Sequence, residues 1–200
     1  MRRLARLRRV VASITLPPTA EKDRAVAWAV IETRNLWAEF LRAYYLSGAI
    51  RTRTVSGIRV SFASGGFPDV ETALQHSIRY LKHATPRGRI RRRDEPAWHV
   101  VRDYLSLCRN VGFSNLSQIN GAFSYRTEFF DLLTPMRNFY SHRCEETFRK
   151  ASHVGVQLGL STRPDLRPVQ ILCSRRPARP QTVIADWLDD IENVIGLLCA

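Results

Sequence analysis

The segment from Val183 to Leu198 constrains this chain more than any other. Val183, Ile184, Trp187, Leu188, Ile191, Val194, Ile195 and Leu198 recur every three or four residues, while Asp186, Asp189, Asp190 and Glu192 fall on the opposite side. An apolar stripe of that period marks a helix with one face laid against a core, and Thr182 stands at the capping position before it. The same period runs through most of the chain. Val26, Val30, Trp37, Leu41 and Tyr44 mark a long helix from about Thr19 to Leu46, closed by Ser47-Gly48. Val70, Leu74, Ile78 and Leu81 mark another, running to about His83.

Further start signals divide what remains. Asp94 with Pro96 predicts the start of a helix carrying Trp98, Val101, Leu105 and Cys108, and Ser114 and Thr127 read as caps of shorter ones. Thr134-Pro135 predicts a long helix running past Phe148 towards Val156. Loose alternation in Arg51–Phe62 (Val55, Ile58, Val60, Phe62) suits a short hairpin or an ordered loop, and Val169–Cys173 a short strand. Pro17-Pro18, Gly65-Gly66 and the Arg-rich loop from Thr85 to Arg93 break the chain between these elements. The expectation is a mainly α chain, an antiparallel helical bundle with a short β-hairpin insertion, forming one domain over residues 1–200 with 1–18 as a basic N-terminal segment.

Charge narrows the partners. Lys and Arg number 31 against 18 Asp and Glu, a formal net charge of +13, and all but three of the basic residues are arginines. Part of that bias can reflect genome composition. The excess still calls for an acidic partner, nucleic acid before an anionic membrane surface. Residues 2–14 place five arginines around Leu4, Leu7, Val10, Val11 and Ile14. Such a helix could be a targeting presequence or lie on a membrane surface, but one that docks on the body or touches nucleic acid is preferred. No stretch approaches the ~18 consecutive apolar residues that span a bilayer. Cys108, Cys144, Cys173 and Cys199 form no Cys-x-x-Cys pair, against both a zinc module and a disulfide scaffold, and suit a cytoplasmic setting. There is no phosphate-binding Gly-x-x-x-x-Gly-Lys loop, nucleophile elbow or His-Glu-x-x-His pair. No cofactor or metal is expected.

The remaining chemistry is Arg137-Asn138-Phe139-Tyr140-Ser141-His142. With 28 arginines and 5 histidines in 200 residues, Arg-x4-His arises by chance about 0.7 times (200 × 0.14 × 0.025). Requiring asparagine after the arginine, at 6 of 200 positions, lowers that to roughly 0.02. The asparagine therefore carries the signal. Arg93 and His99 show a similar spacing, but Asp94 and Pro96 intervene at a loop-to-helix junction, and His99 reads as an ordinary helix-face histidine. His76, His83 and His153 read as surface or packing residues. At about 100° per residue Asn138 and His142 share a helix face, whereas Arg137 lies about 140° from His142.

This motif resembles that of the HEPN superfamily, whose nucleases carry arginine, usually a polar residue such as asparagine, a short spacer and histidine. The resemblance implies a HEPN-like bundle and a metal-independent endoribonuclease of the toxin or anti-phage defence type. It also implies a homodimer that pairs two motifs across a two-fold interface into a composite site, and an antitoxin or operon partner. In such a site the 2′-hydroxyl attacks the neighbouring phosphate, leaving a 2′,3′-cyclic phosphate and a 5′-hydroxyl. His142 would move the proton, Arg137 would bind the phosphate and Asn138 would orient His142 or a phosphate oxygen. Arg143, Tyr140, Arg91, Arg92 and Arg93 are candidate RNA contacts, although Phe139, Tyr140 and Phe148 also read as core or dimer residues. Toxins of this superfamily controlled by a partner nucleotidyltransferase carry tyrosine two residues after the histidine; here that residue is Cys144. The alternative is a non-catalytic, basic RNA- or DNA-binding regulator or interaction module using segments 2–9, 87–93 and 175–179. A buried hydrogen-bond set joining two helices would account for the same three residues.

Overall fold

The computed structural model describes residues 2–14, 19–63, 66–84, 90–125, 128–177 and 179–200. The chain is mainly helical, with a small antiparallel hairpin. Its elements in order are α1 (Arg2–Ser13), α2 (Ala20–Ala49), β1 (Thr52–Arg53), β2 (Arg59–Val60), α3 (Val70–Lys82), α4 (Val101–Asn110), α5 (Leu116–Ser124), α6 (Glu128–His142), α7 (Glu145–Gln157), α8 (Pro168–Cys173) and α9 (Val183–Cys199). No helix among the described residues is long and apolar enough to cross a membrane. The chain divides into two compact units, Met1–Leu36 with Glu128–Asn193, and Trp37–Thr127 with Val194–Ala200.

In the first unit α1 buries Leu4, Leu7 and Val11, followed by Ile14. Arg3 pairs with Glu32 at 2.8 Å, and Arg8 pairs with Asp189 and Glu192, so the arginines flanking the apolar stripe hold α1 in place. Val183, Ile184, Trp187, Leu188 and Ile191 of α9 are buried as their spacing requires. Its acids do not form a solvated face. Asp186 and Asp190 are buried as well, Asp186 accepting two hydrogen bonds from Arg176 at 3.1 and 2.7 Å.

Two expectations in this unit are corrected. The motif helix starts at Glu128 and not at Thr134-Pro135, and it stops at His142, where Arg143 (φ +45°) and Cys144 separate it from α7. Phe129, Phe130, Leu133 and Met136 are all buried, and their shared apolar face carries the helix through Pro135 despite the missing N–H. Thr134 does not cap; its hydroxyl donates back to the Phe130 carbonyl at 3.3 Å. Val169–Cys173 is not a strand but lies in α8, with Pro168 in its first turn. A buried apolar run this short fits either period, and the proline was the deciding signal.

In the second unit Trp37, Leu41, Tyr44 and Tyr45 of α2 are buried. Ser47 and Gly48 lie inside that helix and do not close it. The hairpin pairs Thr52 with Val60 and Arg53 with Arg59. Asp69 caps α3 through the Thr72 N–H at 2.7 Å. Helix α4 begins at Val101, not near Asp94: Arg92–Asp94 is a single 3-10 turn in which the Asp94 carboxylate accepts the Arg91 N–H. Trp98 and His99 therefore sit in a turn before the helix, and Trp98 Nε1 donates to Glu95 at 2.8 Å. Ser114 does not cap α5. Its hydroxyl accepts the Ser61 N–H and donates to the Arg59 carbonyl. Pro17-Pro18, Gly65, Thr127 and the segment holding Arg87 and Arg89 lie outside the described residues.

Candidate active site at the end of helix α6

All three motif residues lie in the last turns of α6, within the first unit. Arg137 is half-buried, and its Nη1 donates to the side-chain Oδ1 of Asn138 at 3.2 Å. The asparagine thus steadies the arginine. The Nε of Arg137 is buried and finds no hydrogen-bond partner among the described residues. Arg34 of α2 stands close enough for the two guanidinium charges to be felt. Burial, and then the Arg137 charge, push the Arg34 pKa down to about 10. Nothing in the sequence marks Arg34 among 28 arginines.

His142 is exposed at the C-terminal end of α6, one turn past Asn138. No hydrogen bond links its imidazole to Arg137 or Asn138 among the described residues. The positions of Arg137 and His142 on the helix lie about 140° apart.

Tyr140 and Arg143 are tied to the first turn of α2. The Tyr140 hydroxyl donates to Asp23 at 3.3 Å, Arg143 pairs with the same carboxylate at 3.2 Å, and the Arg143 guanidinium lies 5.6 Å from the Tyr140 ring centroid. Tyr140 is buried, so it presents no ring to a base in this arrangement. Arg143 is exposed, and its backbone N–H closes the helix on the Phe139 carbonyl at 2.7 Å. Asp23 carried no signal beyond that of an acid in a helix's first turn.

Beside this end of α6 opens a cleft of about 490 Å³ bounded by Asp23, Phe139, Phe148, Arg167, Val169 and Gln170. The Phe139 and Phe148 rings meet edge to face with centroids 5.9 Å apart and are only half-buried, so these aromatics form a wall and not only a core.

The remaining arginine candidates are partly occupied. Arg91, Arg92 and Arg93 belong to the second unit, where Arg92 pairs with Glu95 at 2.6 Å and Arg93 with Asp94 at 3.9 Å. Arg176 pairs with Asp186 at 2.7 Å, and Arg179 lies 4.0 Å from the same acid. Arg175 is exposed. No family model matches the chain, and no match was found among curated proteins or solved structures.

Proposed function

We propose that this chain is a metal-independent endoribonuclease in which Arg137, Asn138 and His142 form half of a site completed by a second copy. The observation that carries the reading is the arrangement at the end of α6. An exposed imidazole follows, five residues on, an arginine that asparagine holds in place and that lies near a second guanidinium. RNA cleavage by its own 2′-hydroxyl needs a proton acceptor and donor together with cationic groups on the phosphate. His142, exposed at the end of α6, supplies the first. Arg137 supplies the second, and a phosphate between Arg34 and Arg137 would relieve the repulsion of the two cations. The expected products carry 2′,3′-cyclic phosphate and 5′-hydroxyl ends. A role as toxin or anti-phage effector, with an antitoxin-like partner, rests on the HEPN resemblance.

Incubation of the purified chain with RNA in excess EDTA tests the reading. Cleavage is expected from the wild type and a loss of about 10²-fold or more from His142→Ala. Mixing Arg137→Ala with His142→Ala should restore part of the activity if the site is composite. Undiminished cleavage by folded His142→Ala would overturn the assignment. A second reading, binding without catalysis, is favoured by the exposed Arg91, Arg175 and Arg143, and predicts salt-sensitive RNA binding without cleavage.

A further inference from the structure

The cleft beside α6 has features that RNA cleavage by the motif alone does not require. Phe139 stands three residues before His142 and so lies close to it around the helix, which places the cleft's aromatic wall within one turn of the proposed proton carrier. A volume of about 490 Å³ falls within the range of small-ligand sites, with room for a nucleobase. Splayed single-stranded bases are held by stacking on aromatic rings and by hydrogen bonds to their Watson–Crick edge.

The polar groups decide which base. Asp23 gives one oxygen to Tyr140 and the other to Arg143. An ionised carboxylate has about four lone-pair directions, so both oxygens can accept again. The Oε1 of Gln170 accepts the Arg167 N–H at 2.9 Å. That bond fixes the amide orientation and leaves its NH₂ end as a donor. The lining thus offers a paired acceptor and a separate donor. Guanine presents the complement: adjacent N1–H and N2–H donors beside the O6 acceptor. Adenine and cytosine set an acceptor ring nitrogen beside their amino donor, and uracil flanks its single N–H with two carbonyls. Each would turn an acceptor toward the carboxylate.

We infer that this cleft is a guanine-binding subsite, with Phe139 and Phe148 as the stacking wall, Asp23 accepting from N1–H and N2–H, and Gln170 donating to O6. The inference rests on the ribonuclease reading for its consequence, a preference for cutting next to guanosine, but not for the binding itself. Arg167, exposed at the rim, is placed to meet the phosphate of the same nucleotide.

The test is a titration of the full chain with GMP, AMP, CMP and UMP, followed by calorimetry or NMR. GMP should bind at least about tenfold more tightly than the other three, as expected when a paired hydrogen-bonding edge is matched against a mismatched one. Gln170→Glu keeps an acceptor for the Arg167 N–H while removing the donor, and should abolish the GMP preference with the fold intact by circular dichroism. Phe148→Leu preserves apolar packing and should weaken all four nucleotides together. His142→Ala should bind GMP as the wild type does. Equal affinity for the four nucleotides, no binding, or an unchanged preference in Gln170→Glu would each overturn the subsite. Mapping of RNA cuts separates the two readings. Selective GMP binding without cleavage supports the subsite and removes the nuclease, whereas cleavage with no guanosine preference overturns the subsite and leaves the nuclease standing.

Discussion

The Tyr140 hydroxyl donates to Asp23 Oδ1 at 3.3 Å across 117 positions of sequence, joining the end of α6 to the start of α2. Burial, followed by the charge of Asp23, pushes the phenol pKa upward, so the group stays a donor throughout the neutral range. Because Arg143 engages the same carboxylate, removing the hydroxyl leaves Asp23 partnered. Tyr140→Phe should therefore cost about 1 kcal/mol, read as a lower urea midpoint at unchanged slope. Asp23→Ala strips both partners and should cost more. A null effect of Tyr140→Phe would mean that the contact contributes nothing in solution.

The helical class was legible because burial in this chain follows a single period. Leu4, Leu7 and Val11, or Val183, Trp187 and Ile191, are buried where their spacing puts them. Boundaries were less legible, because local start signals were overridden by packing that the sequence does not display. Thr134-Pro135 lies inside a helix whose buried face begins at Phe129, and Ser47-Gly48 lies inside one continued by contacts with distant rings. At the candidate site, Arg137, Asn138 and His142 could be selected by an improbable spacing. Arg34 and Asp23 could not, since each is an ordinary helix-surface residue type whose meaning comes only from the element packed against it.

Glu95 gives the chain an acid-sensitive contact. Burial alone would raise its pKa, but hydrogen bonds from Arg42 and Trp98, with the charges of Arg42 and Arg92, outweigh it and hold the carboxyl below the usual range. A carboxyl depressed in the folded state contributes stability above its unfolded pKa and loses it as pH falls through the folded value. The urea midpoint of the wild type should therefore decline as pH falls below the ordinary glutamate range. Glu95→Gln should start lower at neutral pH, by about 2 kcal/mol, and show a flatter acid limb. Parallel acid limbs in the two proteins would exclude Glu95 as the titrating group.

The cysteines should separate sharply by reactivity. Hydrogen bonds with Thr147 lower the pKa of exposed Cys144, whereas burial pushes Cys108 up to about 12 and Cys173 up to about 11. Thiolate, not thiol, is the nucleophile. Under native conditions an aromatic disulfide reagent should show one fast phase of a single thiol, absent from Cys144→Ser, with half-buried Cys199, its pKa raised by burial, reacting more slowly and the buried pair released only by denaturant. Survival of the fast phase in Cys144→Ser would place the reactive thiol elsewhere.

Gly48 sets a general propensity against a local collision. In an exposed helix interior, replacing glycine by alanine stabilises by about 1 kcal/mol, because alanine loses less backbone entropy. At position 48 an added Cβ would lie 2.5 Å from one Phe62 ring carbon and 2.9 Å from one of Phe113. Neither ring can easily withdraw. Both are buried, they meet edge to face at 4.9 Å, and Phe62 is held further by Tyr45 and Phe67. Overpacking a core of this kind costs about 1–3 kcal/mol, more than the propensity returns. Gly48→Ala should therefore lower the thermal midpoint, and Gly48→Ala with Phe62→Leu should recover part of the loss by giving the methyl room. A single Gly48→Ala variant more stable than the wild type would show that α2 and these rings do not approach as closely in solution as the structure places them.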